Sequence, residues 1–204
     1  MDYRYRILQR ETCYEGFFRL VRLRLRHAQF AGGMGASLTR ECIHKGEAAG
    51  VLLYEAETDC VALVEQFRVG ALEQAGADAS QAWLLELVAG YREAGEGIED
   101  VARRETLEEA GCTVLDLIPI CRYLVSPGGS SETMSLFCAR VRAPRSGSIH
   151  GVADEGEDIR LHVLPVEDAW QRLQDGGIGS AAPVIALQWL RLHHRELRAR
   201  WAGS

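Results

Sequence analysis

The sequence predicts a mixed α/β domain preceded by an N-terminal antiparallel β lobe. Three observations carry this: an alternating apolar–arginine strand near the N-terminus, short apolar runs separated by turn-like residues, and helix-like segments at 98–110 and at the C-terminal end. Between Phe17 and His27, Val21, Leu23 and Leu25 alternate with Arg22, Arg24 and Arg26, as in a strand with one wet face. The glycine-containing AGGMGAS follows, then a strand at Leu38–His44. AGVLLY (49–54) and CVALVEQF (60–67) flank the turn-like EAETD, and the small, polar residues 69–82 read as a loop. WLLELVA (83–89) is a short apolar run ending at Gly90. A helix is expected over Ile98–Ala110, with Gly97 as N-cap and Gly111 as its stop. Strands at 114–125 and 133–143 flank SPGGSSE (126–132), and the polar HGVADEGED (150–158) precedes the strand IRLHVL. Two helices close the chain: EDAWQRLQDGG, stopped by glycines, and one that starts after Ser180 with Pro183 near its first turn. A boundary near residue 46 is expected, dividing a 1–46 β lobe from a 47–204 main domain.

Composition narrows the function classes. The 204 residues are enough for one large domain. A net charge of −6 with no long Lys/Arg block disfavours nonspecific nucleic-acid binding, so an anionic substrate would need local arginines or metal ions. The six cysteines are scattered without a C-x-x-C, the pattern of free thiols in a reducing compartment. MDYRYRILQR has no apolar core of a signal peptide, and no apolar run approaches the roughly 18–20 residues of a membrane span. A cytoplasmic location and no membrane partner are the expectation.

The chemistry concentrates in GYREAGEGIEDVARRETLEEAGC, residues 90–112. Glu99–Asp100 and Glu108–Glu109 are adjacent pairs, and Glu105 and Glu109 stand four apart, where like charges on a helix repel by a few tenths of a kcal/mol, ~0.2–0.5. At about 100° per residue, Glu105, Glu108 and Glu109 share an arc of about 100°. Ile98, Ala102, Thr106 and Ala110 form a small-residue packing edge that overlaps this arc. A merely solvated charged face would lie opposite the packing edge. Carboxylates gathered at a partly buried edge call for a cation, and all-oxygen ligation favours Mg²⁺ or Mn²⁺ over soft metals.

Gly90, five residues, Glu96, seven residues, then Arg104-Glu105-Thr106-Leu107-Glu108-Glu109-Ala110-Gly111-Cys112 resembles the signature of the Nudix hydrolases. Thr106 departs from it, standing where a bulky aliphatic is usual. Further stretches resemble the bacterial ADP-ribose pyrophosphatases of that superfamily: REC (40–42), EQFR (65–68), LLELVAG, SPGGSSE, HGVADEGEDIR and VIALQWLRLHH, with Pro127 fifteen residues beyond Cys112. The resemblance covers roughly residues 11–200 and departs from that group in the longer loop at 69–82. It implies a Nudix-type α/β/α sandwich with a mixed sheet, a homodimer formed through the N-terminal sheet, and Mg²⁺-dependent hydrolysis of ADP-ribose to AMP and ribose 5-phosphate.

The resemblance also implies roles. Glu105 and Glu109 are the expected side-chain metal ligands, which their spacing supports, and the Ala89 carbonyl adds an oxygen; two or three ions per site are expected. Glu108 ranks lower, as a further ligand or an orienting neighbour. Glu155 is assigned as the base and Glu157 as a third metal ligand, and the two could be exchanged. Arg40, Glu41 and Arg68 are expected at the phosphate and ribose side, Arg as a forked donor suiting that task. Ser126, Pro127, Gly128 and Glu132 are expected to face substrate, Tyr91 to contact it, and Phe17 and Phe18 to stack on adenine across the dimer. Two alternatives are a Nudix hydrolase for another nucleoside diphosphate derivative and a non-catalytic Nudix ligand sensor, the latter predicting eroded metal glutamates.

Overall fold

The computed structural model describes residues 3–142 and 144–202, without the side chain of Glu155. In chain order the strands are β1 (Tyr5–Glu15), β2 (Arg19–His27), β3 (Leu38–His44), β4 (Glu47–Glu55), β5 (Cys60–Phe67), β6 (Trp83–Glu86), β7 (Val88–Tyr91), β8 (Asp116–Leu124), β9 (Thr133–Arg140), β10 (Ile149–His150) and β11 (Ile159–Pro165). The helices are α1 (Leu72–Ala75), α2 (Ile98–Ala110), α3 (Val166–Gln174) and α4 (Ala181–Trp201). Contacts divide the chain into two units: Met1–Glu47 with Tyr123–Met134, and Ala48–Arg122 with Ser135–Ser204. The segment 123–134, which the sequence groups with the main domain, clusters with the N-terminal sheet.

In the first unit β1, β2 and β3 form an antiparallel sheet in that order. The alternation in β2 is real, with Val21 buried and its arginine neighbours wet. The strand starts two residues later than the sequence suggests, because Gly16–Phe18 make the turn from β1, closed by the Gly16 N–H to the Phe18 carbonyl at 3.1 Å. β1 gives no apolar alternation to read, since every one of its residues is exposed. The loop 126–132 belongs to this unit. Gly129 O accepts from Ile43 N–H at 2.8 Å, and Ser131 N–H returns a bond to Ile43 O at 3.0 Å.

The second unit holds a mixed sheet in the order β10-β11-β5-β4-β9-β8, with β6 on β5 and β7 on β4. The apolar run 83–89 is thus two strands on two different partners, changing over at Leu87. Period-2 alternation sorts the sheet residues between its faces. Ala49, Val51 and Leu53 of β4, with Ala62 and Val64 of β5 and Val88 of β7, share one core cluster with Val101 and Ala102 of α2. The even-numbered neighbour Tyr54 points to the other face, its ring 6.1 Å from that of Trp201 of α4. Helices therefore cover both faces, an α/β/α sandwich. Leu52, Leu63 and Leu161 are fully buried; trimming such a leucine to alanine costs about 2–5 kcal/mol.

Two local features place the functional elements. In the turn between β4 and β5, Asp59 adopts φ 59°, a left-handed conformation Asp tolerates. Its carboxylate accepts from Tyr54 Oη at 2.9 Å and lies 2.6 Å from His194 Nε2 and 3.2 Å from Arg198, which docks α4 on the sheet. On the opposite face β4 and β7 are antiparallel, with Ala49 directly across from Gly90. That pair of small residues lies on the side that α2 packs against.

Candidate active site

Helix α2 runs between the two glycines the sequence marks. Gly97 is its N-cap, with Glu99 and Asp100 in a first turn whose dipole favours negative charge. Gly111 ends it at φ 61°, where Gly111 N–H reaches Leu107 O at 3.0 Å and Cys112 N–H reaches Thr106 O at 3.3 Å. Thr106 is fully buried, and its hydroxyl donates to the Ala102 carbonyl one turn back at 2.7 Å. A polar residue thus occupies an apolar position without an orphaned donor.

The acidic and packing edges do overlap. Glu105 and Glu109 are both buried, Glu109 to 2% exposure. The Ala89 N–H donates to Glu109 Oε2 at 2.9 Å, and Glu105 lies across Gly90 so closely that a Cβ there would be 1.7 Å from Glu105 Oε1. The motif glycine is therefore required by space: its missing side chain is where the carboxylate lies.

Arg104 ties the cluster together. Its Nε and Nη2 form a fork on Glu96 at 3.0 and 3.3 Å, and Nη1 donates to Glu105 at 2.7 Å and to Glu108 at 3.0 Å. Nη2 also donates to the Tyr91 carbonyl at 3.2 Å. The hydrogen bond to Glu96, then those to Glu105 and Glu108, hold the guanidinium's pKa above its usual value. In return Arg104 holds the Glu96 carboxyl below the usual range. Burial raises Glu105 against the opposing pull of Arg104. Burial also pushes Glu109 up to about 8, with repulsion from Glu105 and Glu157 adding to it and the Ala89 N–H and Arg68 opposing it.

The acidic loop reaches the same helix. Gly151 N–H donates to the Glu108 carbonyl at 3.3 Å, and Glu157 Oε2 accepts from Val152 N–H at 3.0 Å. The backbone of Glu155 ends a short 3₁₀ turn, Ala153–Glu155; its side chain lies outside the described residues. Among the described residues no group of three or more His, Cys, Asp or Glu is gathered as a metal-binding cluster. The carboxylate oxygens are engaged by Arg104, Ala89 N–H and Val152 N–H instead. The donor chemistry nonetheless fits a hard divalent cation: two buried, all-oxygen side chains on one helix face, whose burial and mutual repulsion a cation would offset.

The remaining expected residues divide between the units. In the second, Arg68 Nε donates to Glu86 Oε2 at 2.6 Å, and the Tyr91 side chain is partly exposed. In the first, Phe17 and Phe18 stand edge to face at 4.7 Å, and Lys45 sits 4.6 Å over the Phe18 ring while pairing with Glu132 at 2.9 Å. Glu41 pairs with Arg22 at 3.1 Å, and Arg40 Nη1 donates to the Thr39 carbonyl at 2.8 Å. Ser126 O closes the loop turn by accepting from Gly129 and Ser130 N–H at 3.1 and 2.8 Å, with Pro127 and Gly128 at its tip. Sequence reasoning missed Lys45 and Glu86. Both are partners of expected residues but lie far from them in sequence; Glu86 stands in the stretch LLELVAG without having been given a role there. Arg104 stands in the signature segment but was assigned no role, although its i,i+4 spacing to Glu108 is a readable signal.

Comparison with known proteins agrees with this geometry. The NUDIX domain family matches residues 44–188. An ADP-ribose pyrophosphatase of Escherichia coli K12 is 47% identical over 196 residues, 96% of this chain and 92% of that protein. One from Haemophilus influenzae is 44% identical over 198 residues, 97% and 91% of the two chains. A GDP-mannose pyrophosphatase of Cronobacter sakazakii is 34% identical over 154 residues, 75% of this chain and 78% of that protein. The crystal structure of an ADP compounds hydrolase superposes with a TM-score of 0.72 at 22% identity, covering 95% of each chain, and so bears on the fold alone. With a family match across residues 44–188 and relatives alike over nearly their whole length, the chain belongs to the Nudix family.

Proposed function

We propose that the chain hydrolyses ADP-ribose to AMP and ribose 5-phosphate, water adding to a pyrophosphate phosphorus as the phosphoric anhydride bond breaks. The observation that carries this is Glu105 and Glu109, buried side by side against Gly90 and Ala89. The choice of ADP-ribose is supported by the 44–47% identical relatives bearing that activity in their names. The intact glutamates argue against a ligand sensor.

In this reading Glu105, Glu109 and Glu157, with the Ala89 carbonyl, would hold two or three Mg²⁺ ions. Such ions, when bound, supply charge neutralisation and Lewis acidity at the pyrophosphate. The chain's own work is orientation. Arg104 fixes the Glu105 rotamer, and Ala89 N–H fixes that of Glu109. Glu155 takes the proton of the attacking water, the role that Glu157 would fill if the two are exchanged. Arg68, Tyr91, Arg40, Glu41, Phe17, Phe18, Ser126, Pro127, Gly128 and Glu132 bind the substrate. The N-terminal sheet forms a homodimer, and the enzyme works in the cytoplasm.

The test is a product assay with Mg²⁺ over ADP-ribose, other ADP-sugars, GDP-mannose and NADH, repeated with Glu155→Gln. ADP-ribose should turn over fastest, and Glu155→Gln should abolish turnover while sparing Mg²⁺ binding. Preference for GDP-mannose would overturn the substrate, and lost metal affinity in Glu155→Gln would exchange the roles of Glu155 and Glu157.

A further inference from the structure

A cavity of about 420 Å³ opens behind the C-terminal end of α2. Gly111, Thr113, Arg142, Arg145, Ser148 and His150 are in its lining, and no Asp or Glu stands among its described lining residues. Its volume is within the range of small-molecule sites, about 300–1,000 Å³. Two arginines, a histidine and Thr113 stand in its lining, residue types that bind phosphate, while the Ser148 hydroxyl is engaged, donating to the Arg145 carbonyl at 2.7 Å. The end of α2 itself disfavours an anion, but a helix terminus carries only about half a charge and its field fades within one turn. Two arginines exceed that. Arg142 also lies 3.4 Å from Glu57, outside the lining, which Arg140 holds more closely at 2.9 Å.

The cavity sits at the root of the acidic loop. Ser148 Oγ lies 2.6 Å from His150 Nε2, and the His150 ring fills the space where a Cβ at Gly111 would fall, 2.8 Å from its Cε1. The next residue, Gly151, is hydrogen-bonded to Glu108 and leads into Val152–Glu157. An occupant touching His150 and Ser148 therefore touches both the cap of α2 and the base of the loop.

We propose that this cavity binds the phosphate group of a small anion, free phosphate or a phosphate monoester, and that its occupancy steadies the loop 151–157. The proposal is independent of the reaction assigned above. Calorimetric titration of the whole protein in Mg²⁺-free, EDTA-containing buffer tests it, with inorganic phosphate, ribose 5-phosphate and AMP as separate ligands. Saturable binding is expected, weakened by added salt and about tenfold by Arg145→Gln, as for loss of one charge-assisted hydrogen bond. Arg68→Gln should leave the binding of inorganic phosphate unchanged. Equal affinities would identify free phosphate as sufficient, and tighter ester binding would identify the monoester. Amide exchange at 152–157 should slow when the ligand is present in the wild type and not in Arg145→Gln. No binding, binding indifferent to Arg145→Gln, or loss of inorganic phosphate binding in Arg68→Gln would overturn the site. Unchanged loop exchange on binding would overturn the coupling.

Discussion

Gly90→Ala isolates the geometry of the site from its charge. The backbone of Gly90 lies outside the left-handed region, so alanine is not excluded by φ. Its Cβ would arrive 1.7 Å from Glu105 Oε1 and 2.0 Å from the carboxyl carbon, where ordinary contact begins near 3.4 Å. The carboxylate oxygen must therefore retreat by about 1.7 Å, from 1.7 Å to ordinary contact at 3.4 Å, and give up its 2.7 Å bond from Arg104. A flexible side chain can do this cheaply, so the fold should lose only about 1 kcal/mol, or about 2–4 °C in Tm for a chain of this size. Turnover should fall much further, since misplacing a reacting group by ~1 Å costs about 10²-fold. The assay is kcat on ADP-ribose at saturating Mg²⁺, beside thermal unfolding, with Gly70→Ala as control because a Cβ there meets nothing within 4 Å. Turnover within about threefold of wild type in Gly90→Ala, well inside the 10²-fold expected, would refute the claim that Glu105 must lie across this glycine.

Arg104→Lys should cost about tenfold or more in kcat, nearly as much as Arg104→Gln, because an ammonium cannot hold the fork on Glu96 while reaching Glu105 and Glu108; a near-normal lysine variant would show that charge alone suffices. Glu109 holds its proton up to about 8 in the folded, metal-free protein but only to about 4.5 when unfolded. The folded state then binds more protons between those values, so in EDTA stability should fall as pH rises through that window. Glu109→Gln should flatten the slope; an unchanged Tm–pH profile would assign it to another group. Thr106→Val should change stability by less than about 1 kcal/mol, since it removes both a buried hydroxyl and its need for the Ala102 carbonyl; a denaturation midpoint shifted by several kcal/mol would mean the hydroxyl has a role beyond self-satisfaction.

What could be read in advance followed from local rules. Helix α2 was legible to its ends because Gly97 and Gly111 punctuate it and because Ile98, Ala102, Thr106 and Ala110 repeat at helical spacing. The glutamate positions were legible because one helix places them relative to each other. The split of 83–89 was not, since both halves are apolar and only the partner strands distinguish them. β1 was illegible for the opposite reason: with all its residues exposed, no face is buried to impose a period. The pairs Arg68–Glu86 and Lys45–Glu132 depend on sheet register and on a turn folding back, neither of which adjacent residues encode.

The pairing of Ala49 with Gly90 has a consequence for how such a sequence can drift. With Ala102 on the facing side of α2, these small residues let helix and strand run close enough for Glu105 to lie on the backbone. A larger residue at Gly90 displaces the Glu105 carboxylate, and one at Ala49 or Ala102 enters a fully buried core. Change at these positions is therefore expected to be jointly constrained, and a survey of variants should find them small together even where the surrounding core exchanges valine, leucine and isoleucine freely.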